Sequence, residues 1–240
     1  MKSSVAVLSA PIHHLKRQAK AMARDQRIPL HAALDRMAWR EGHASWSLLA
    51  SRWAAARPAA RIFERLHPGD LVLLGARRGQ GKTLLGVELI VEAARRGGRG
   101  RFFSLEETAG DFIAHLRAVG ETAWPDGTDR IRFDDSDDVG APYVIDRLAD
   151  EPAGTIVVID YLQILDQRRD KPDLSTQVAA LRAFAKARGL IIVCLSQIDR
   201  RYDSSAKPLP DRNDVRLPNP LDLALFDRTC FLHAGRLRLA

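Results

Sequence analysis

Apolar and polar positions follow one pattern over the C-terminal three quarters of the chain, where short apolar runs alternate with longer amphipathic stretches. The runs 156–159 and 190–193 contain only isoleucine, valine and leucine, as expected of central strands buried on both faces. Between such runs, apolar residues recur every three or four positions, which predicts helices. Strands joined by helices need crossover connections, so the pattern predicts an α/β fold with a mostly parallel central sheet.

The predicted strands are 71–74, 102–105, 131–133, 155–159 and 190–195, and the predicted helices are 82–96, 109–119, 143–149 and 176–188. The longest predicted loop, 199–220, is rich in arginine, aspartate, serine and proline. Loops of that length usually carry a function or move.

The first 66 residues have a different pattern, which predicts helices at 13–24, 29–41 and 45–56. Trp39, Trp46 and Trp53 recur every seven residues. We therefore expect them to share a packing face in a small helical core, although aromatic rings among arginines can also stack on bases. A turn at 67–70 separates this part from the strand–helix pattern, so a domain boundary is predicted at residue 66.

Positive charge is concentrated in this N-terminal part. The net charge of the chain is +7, and residues 1–66 contain 12 Lys and Arg against 4 Asp and Glu, whereas 67–240 contain 25 against 26. Such asymmetry favours a polyanionic partner, most simply nucleic acid. A solvated basic helical surface is the alternative.

Membrane, export and disulfide signals are weak. No segment approaches the roughly 18 uncharged apolar residues that a membrane span needs, and residues 1–11 lack the features of an export signal. Cys194 and Cys230 lie in apolar runs and form no CxxC pair, which favours two buried thiols over a metal site. We therefore expect a cytoplasmic protein without a membrane partner.

The most specific motif is a glycine-rich segment between the first predicted strand and the helix 82–96. Its residues are Gly75, Ala76, Arg77, Arg78, Gly79, Gln80, Gly81, Lys82 and Thr83. A strand, a glycine-rich turn, Gly-Lys-Thr and a helix form the context of a phosphate-binding loop. In such a loop the backbone N–H groups surround phosphate oxygens, Lys82 reaches the β- and γ-phosphates, and the Thr83 hydroxyl ligates Mg²⁺. The sequence therefore predicts ATP and Mg²⁺ as ligands.

Polar side chains end three further predicted strands, and the carboxyl ends of parallel strands share one edge of a sheet. Glu106, favoured over Glu107, would orient and deprotonate the water that attacks the γ-phosphate. Asp160 would hold Mg²⁺ together with Thr83. Gln197 would contact the γ-phosphate. The alternatives are an acid at a helix N-terminus for Glu106 and a simple strand-capping amide for Gln197.

Together these segments resemble the ATPase domain of DnaB-type replicative helicases, which has the RecA-like fold. The resemblance rests on 76–83, 102–106, 159–163 and 181–197 and covers about 66–233. It includes alanine followed by arginine at the start of the phosphate loop, although the family usually has proline where this chain has Arg78. The resemblance implies a RecA-like ATPase domain over 67–240, preceded by a basic helical segment over 1–66.

The same resemblance implies a homo-oligomer, a hexamer if DnaB-like, with ATP between neighbours and single-stranded DNA gripped by two loops. By position these loops are 166–174, with Arg168 and Arg169, and the stretch after Gln197, with Arg200 and Arg201. DnaB-type proteins also supply an arginine finger and a lysine to the neighbour's γ-phosphate from a C-terminal hairpin. Arg236 and Arg238 are the candidates here, and plain surface arginines are the alternative. The resemblance does not extend to the family's long N-terminal domain, and the expected partners of residues 1–66 are DNA, a replication partner or only the ATPase core.

Two functions follow as expectations. The leading one is an ATP-hydrolysing DNA helicase or translocase on single-stranded DNA, with Lys82, Glu106 and Gln197 as catalytic residues. The alternative is a nucleotide-dependent DNA-binding adaptor or helicase loader, similar to small RecA- or KaiC-like ATPases, without unwinding activity.

Overall fold

Seven strands form a single sheet in the spatial order β3-β2-β4-β5-β1-β6-β7. The computed structural model describes residues 9–10, 12–50, 58–121, 124, 129–162, 165, 172–205, 207–217 and 219–240. The pairings from β3 across to β6 are parallel, and β7 runs antiparallel to β6. The strands are Leu71–Ala76 (β1), Gly100–Ser104 (β2), Ile131–Asp134 (β3), Ile156–Asp160 (β4), Ile191–Gln197 (β5), Arg228–His233 (β6) and Arg236–Leu239 (β7). The predicted α/β class with a mostly parallel sheet is confirmed.

Helices cover both faces of the sheet. They are Ile12–Asp25 (α1), Leu30–Arg40 (α2), Pro58–Phe63 (α3), Lys82–Arg95 (α4), Ala109–Ala118 (α5), Ala141–Arg147 (α6) and Leu174–Arg188 (α7), with a further helical stretch at 46–50. Side chains of α3, α4 and α5 pack with one face of the central strands, and those of α6 and α7 with the other. The central strands β1, β4 and β5 are therefore buried on both sides, as their unbroken apolar runs predict.

Local sequence explains where several helices begin and end. Thr108 and Asp111 form a capping box at the start of α5. Asp173 accepts a hydrogen bond from the backbone N–H of Thr176 at the start of α7, and Gly189 ends that helix with a φ of 66°. Pro29 is the N-cap residue of α2, so this helix begins one position later than the predicted start at residue 29.

The N-terminal helices have a core of their own, and we call residues 9–50 the N-terminal unit. Its buried side chains are Leu15, Ala19, Ala33, Met37, Ala38 and Leu49. Helix α3, by contrast, packs through Ala59 and Ile62 into the core on the face of the sheet that α4 and α5 cover, and Leu66 belongs to the same core. The boundary at residue 66 stays a prediction, but the packing joins α3 to the sheet rather than to the N-terminal unit.

The predicted packing face of three tryptophans is wrong for Trp39. The side chain of Trp39 is 66% exposed, and its indole N–H donates to the carbonyl of Ala44. Trp46 is partly buried against the small N-terminal core, while Trp53 lies outside the described residues. The physical reason is helical geometry, because Trp39 projects from α2 opposite Ala33 and Met37, which face the core.

Both cysteine thiols are free and buried, as predicted. Burial raises the pKa of Cys194 and of Cys230 to about 12, so both stay protonated at neutral pH. Among the residues that the structure describes, no helix is long and apolar enough to cross a bilayer.

Candidate nucleotide-binding site

The phosphate loop, residues 77–81, connects the end of β1 to the start of α4. Gly79 has a φ of 78° and Gly81 a φ of 90°, which are conformations that residues with a Cβ atom rarely adopt. Gly81 is the N-cap residue of α4, so the first N–H groups of this helix lie at the loop. Inward-turned N–H groups and the positive end of a helix dipole together form an anion-binding site.

Lys82, Thr83 and Asp160 meet at the carboxyl edge of the sheet. The Lys82 Nζ donates to the Asp160 Oδ1 at 2.5 Å, and the Thr83 Oγ1 donates to the Asp160 Oδ2 at 2.6 Å. Asp160 is 1% exposed and Lys82 is 8% exposed. A buried carboxylate is stabilised by a cation and by hydrogen-bond donors, and Lys82 and Thr83 supply them.

The same oxygens suit a magnesium ion. Mg²⁺ prefers hard oxygen ligands and is usually held by one or two protein groups together with phosphate oxygens and water. The Thr83 hydroxyl and the Asp160 carboxylate are within hydrogen-bond distance of each other, so one ion can reach both side chains. The site residues therefore fit the predicted metal.

Glu106 follows β2 at the same edge of the sheet. The Ser104 Oγ accepts hydrogen bonds from the backbone N–H groups of Glu106 and Glu107 at 3.1 Å each, which fixes the turn. Crowding by neighbouring atoms raises the pKa of the exposed Glu106 carboxyl, and this desolvation outweighs the attraction of Lys82. Glu107 instead contacts the His115 Nε2 at 3.2 Å. The two adjacent acids thus have different surroundings, and the charges of Lys82 and Asp160 act on Glu106.

Gln197 is the last residue of β5 and pairs in register with Ala76, the last residue of β1. It is half-buried, and its backbone carbonyl accepts from the N–H of Arg216. The strand ladder therefore brings Gln197 to the start of the phosphate loop. Its predicted contact with a γ-phosphate stays a prediction.

Arg77 connects the phosphate loop to the chain after β5. Its guanidinium donates to both carboxylate oxygens of Asp203, at 2.8 and 2.7 Å, and to the carbonyl of Ile198 at 3.0 Å. Gln80 makes a second connection, because its Oε1 accepts from the backbone N–H of Ala234 in the β6–β7 turn. Sequence reasoning assigned Arg77 and Gln80 only to phosphate binding, since no local pattern reports contacts 126 and 154 residues away.

The predicted DNA-binding arginines are only partly described. Arg168 and Arg169 lie outside the described residues, as does Gln163. Arg200 and Arg201 are exposed in a 3-10 turn directly after β5, and the Arg201 Nε donates to Asp199. Their role stays a prediction.

The two candidates for a trans-acting finger, Arg236 and Arg238, lie on the edge strand β7 and are both exposed. The Arg238 Nη2 donates to the carbonyl of Pro210 at 3.0 Å. Arg236 lines a cleft together with Arg40 and Glu41 of the N-terminal unit. Their role too stays a prediction.

Comparisons with known proteins agree with this architecture. No family model matches the chain. A probable plasmid replicative DNA helicase of Chlamydia trachomatis is 25% identical over 183 residues, covering 63% of this chain and 40% of the relative. The replicative DNA helicase DnaB of Leifsonia xyli subsp. xyli is 26% identical over 186 residues, again covering 63% of this chain and 40% of the relative. The chain thus matches about two fifths of the length of these relatives.

Solved structures show the same fold. A DnaB-like replicative helicase, studied with its primase interactions, superposes with a TM-score of 0.60 at 16% identity over 92% of this chain and 67% of that chain. An isolated ATPase domain superposes with a TM-score of 0.59 at 18% identity over 74% and 75% of the two chains. The chain resembles the DnaB-type ATPase domain. The fold shared with these structures is RecA-like. The candidate site lies at the edge of the sheet that adjoins the phosphate loop.

Proposed function

We propose that this chain binds ATP with Mg²⁺ and hydrolyses it. The observation that carries the proposal is the convergence of Lys82, Thr83 and Asp160 beside a glycine-rich loop at a helix N-terminus. Phosphate, a bound divalent cation and an attacking water are the groups that this set of donors and acceptors suits. The structural similarity to a protein described as an ATPase domain supports ATP as the nucleotide.

Each side chain has a role in this mechanism. Lys82 exchanges its bond to Asp160 for the β- and γ-phosphates, so that binding replaces one anionic partner of a buried cation by another. Thr83 and Asp160 would hold Mg²⁺, which would neutralise charge on the phosphates. Glu106 orients the attacking water and accepts its proton. Gln197, at the end of β5, contacts the γ-phosphate and reports its presence to the loop that follows.

The test is ATP hydrolysis by the wild type and by Lys82→Ala. We expect the variant to lose hydrolysis, because it lacks the cation that is proposed to contact the β- and γ-phosphates. Lys186→Ala is the matched control, since Lys186 is an exposed lysine on α7 that pairs with Asp227. Equal activity in the wild type and the Lys82 variant would refute the proposed site.

We further propose that hydrolysis drives a DnaB-like helicase or translocase on single-stranded DNA, assembled as a homo-oligomer. The support is the basic turn with Arg200 and Arg201, which begins three residues after Gln197 and which Asp203 joins to Arg77 in the phosphate loop. Backbone contacts by such arginines would be sequence-tolerant and salt-dependent. ATPase activity measured in low salt with and without single-stranded DNA tests this, and an unchanged rate would count against it.

An adaptor or loader without unwinding activity is the second candidate. It is favoured by the bond of Arg238 to Pro210 of its own chain and by the position of Arg236, which lines a cleft with Arg40 and Glu41 of the N-terminal unit. Such contacts compete with a role at a neighbour's nucleotide. Gel filtration with ATP separates the two functions: a hexamer supports the helicase, and a monomer or dimer supports the adaptor. The N-terminal unit is then the proposed surface for DNA or a replication partner.

A further inference from the structure

Helix α1 of the N-terminal unit lies directly against the phosphate loop. The contact is made by His14, whose Cε1 and Nε2 are 3.3 and 3.5 Å from the position that a Cβ atom on Gly79 would occupy. The ring therefore occupies the space that a side chain at position 79 would need, so His14 and the loop lie side by side. A residue 65 positions upstream therefore forms part of the wall of the phosphate loop.

Arg17 stands behind His14, one turn further along α1. The Arg17 Nη2 is 2.7 Å from the His14 Nε2. Because a guanidinium can only donate, the His14 Nε2 accepts and the proton of the neutral ring is on Nδ1. Burial and the charge of Arg17 both lower the pKa of His14, so the imidazole is neutral at pH 7. The positive charge at this contact is therefore that of Arg17.

Residues of the N-terminal unit and of the sheet region also line two clefts together. Ile12 and Lys16 line a cleft of about 450 Å³ with Leu84 and Glu88 of α4. Arg40 and Arg236 line a second cleft, between α2 and the β6–β7 hairpin. The contact between His14 and Gly79 is thus one part of a wider interface.

We propose that Arg17 is a positioning residue of the nucleotide site, which acts through His14 on the phosphate loop and strengthens triphosphate binding. The inference rests on the proposed function, namely that this loop binds ATP. Arg17 is joined by one hydrogen bond to the ring that lies beside Gly79, so its positive charge stands one side chain away from the proposed phosphate site. Coupling between two sites is reciprocal, so bound nucleotide also holds α1 and the N-terminal unit against the loop.

The positive charge of Arg17 should affect the binding of a nucleoside triphosphate and of a diphosphate differently. Because the interaction is Coulombic, it is stronger for a nucleoside triphosphate than for a diphosphate, and salt weakens it. A purely structural role for Arg17 would change the binding of both nucleotides equally and would lower the thermal stability of the chain. The difference between the two nucleotides therefore separates the roles.

The experiment measures dissociation constants of fluorescent ATP and ADP analogues for Arg17→Gln. We expect ATP binding to weaken about fivefold or more, within the usual range of coupling between sites, and ADP binding to weaken less. Arg24→Gln is the matched control, since it removes the same charge from an exposed position on the same helix, about 10 Å further along the axis. It should bind both nucleotides as the wild type does. Arg17→Lys should recover part of the ATP affinity, and the thermal midpoints of all variants should agree.

Hydrogen exchange of residues 12–25 provides the second readout. In the wild type, ATP should slow exchange in this segment, and the effect should be smaller in Arg17→Gln and in His14→Ala. Unchanged ATP affinity in Arg17→Gln would overturn the inference. Tighter ATP binding in Arg17→Gln and in His14→Ala would also overturn it, because α1 would then obstruct the site. A wild type that binds neither nucleotide would instead refute the proposed function.

Discussion

At the scale of single residues, the bond between Lys82 and Asp160 determines how the site behaves without nucleotide. Both side chains are almost fully buried, and removing one member of such a pair leaves an uncompensated buried charge that costs about 3–5 kcal/mol. We expect Asp160→Asn to lower the free energy of unfolding by about this amount, as measured by urea denaturation without nucleotide. The double variant Lys82→Met with Asp160→Asn should recover most of the loss. Equal destabilisation in the single and double variants would contradict the pairing.

A second residue-scale prediction concerns Glu106. Its pKa is raised, chiefly by desolvation, and a general base works only when it is deprotonated. The rate of ATP hydrolysis should therefore rise with pH through a midpoint above the ordinary value of 4.5 for a glutamate. The steady-state pH profile measures this. Glu106→Gln should lose about a hundredfold or more in rate and also lose the pH step, whereas Glu107→Gln should keep both. A pH step that survives in Glu106→Gln would assign the base elsewhere.

The residue scale also shows what the sequence can reveal. Lys82, Thr83 and Asp160 were predicted together because each stands at a strand end or helix start whose pattern is local. The contacts of His14 with Gly79 and of Arg77 with Asp203 could not be predicted, since nothing in a segment of ten residues specifies which distant helix or loop will touch it. Those contacts depend on how the elements are arranged, and a single sequence does not encode that arrangement as a repeat or spacing.

At the scale of elements, helix α4 carries a half-buried acid, Glu88, that makes its packing sensitive to pH. Burial raises the pKa of Glu88 to about 7, although the nearby Arg95 lowers it. A pKa above the unfolded value of 4.5 means that the folded state favours the protonated acid. The stabilising contribution is therefore complete below pH 4.5 and is lost as the pH rises through 7.

We expect the free energy of unfolding to fall by up to about 3 kcal/mol between pH 5 and pH 8 because of this one group. Glu88→Gln should remove most of that dependence, as measured by denaturation at several pH values. Glu92→Gln, one turn further along α4, is the comparison, because Glu92 pairs with Arg96. A pH dependence that is the same in the wild type and in Glu88→Gln would show that Glu88 is ionised in the folded chain.

A further element-scale prediction concerns the link between the turn after β5 and the phosphate loop. Arg77 and Asp203 join the two, but the pair is partly exposed and contributes at most about 1 kcal/mol to stability. Its proposed value is coupling, so Asp203→Asn should leave basal ATP hydrolysis unchanged and reduce its stimulation by single-stranded DNA about fivefold. Asp137→Asn, an exposed acid between β3 and α6, is the control. Full stimulation in Asp203→Asn would show that the link is only structural.

The same scale explains which elements the sequence predicted well. The five predicted strands and the long helices are all present, because they combine a strong apolar period with clear boundaries. Strands β1 and β5 extend two residues further than predicted, to Ala76 and Gln197, since their ladder continues into residues that look like loop. Helix α3 was not predicted at its observed bounds, because six residues are too few to show a helical period.

At the scale of the whole molecule, two arginines on the edge strand β7 are placed where they can complete the nucleotide site of a second copy of the chain. Arg236 and Arg238 lie on the edge strand of the sheet with exposed side chains. An edge position can face a neighbour in a head-to-tail ring, in which each subunit supplies one surface to the next. If the arginines act there, a variant that lacks both arginines is inactive but keeps an intact phosphate loop. A variant that lacks Lys82 is also inactive but keeps an intact β6–β7 hairpin.

Mixing the two inactive variants should therefore restore ATP hydrolysis. In equal amounts, about a quarter of the interfaces in a head-to-tail ring would join an intact phosphate loop to an intact hairpin. The measurement compares the rate of the mixture with the sum of the separate rates at the same total concentration. A pair of exposed arginines elsewhere on the surface, Arg132→Ala with Arg147→Ala, should leave activity unchanged. If the mixture forms mixed oligomers and stays inactive, the arginines do not act across an interface. Their contacts within the chain would then favour the adaptor over the helicase.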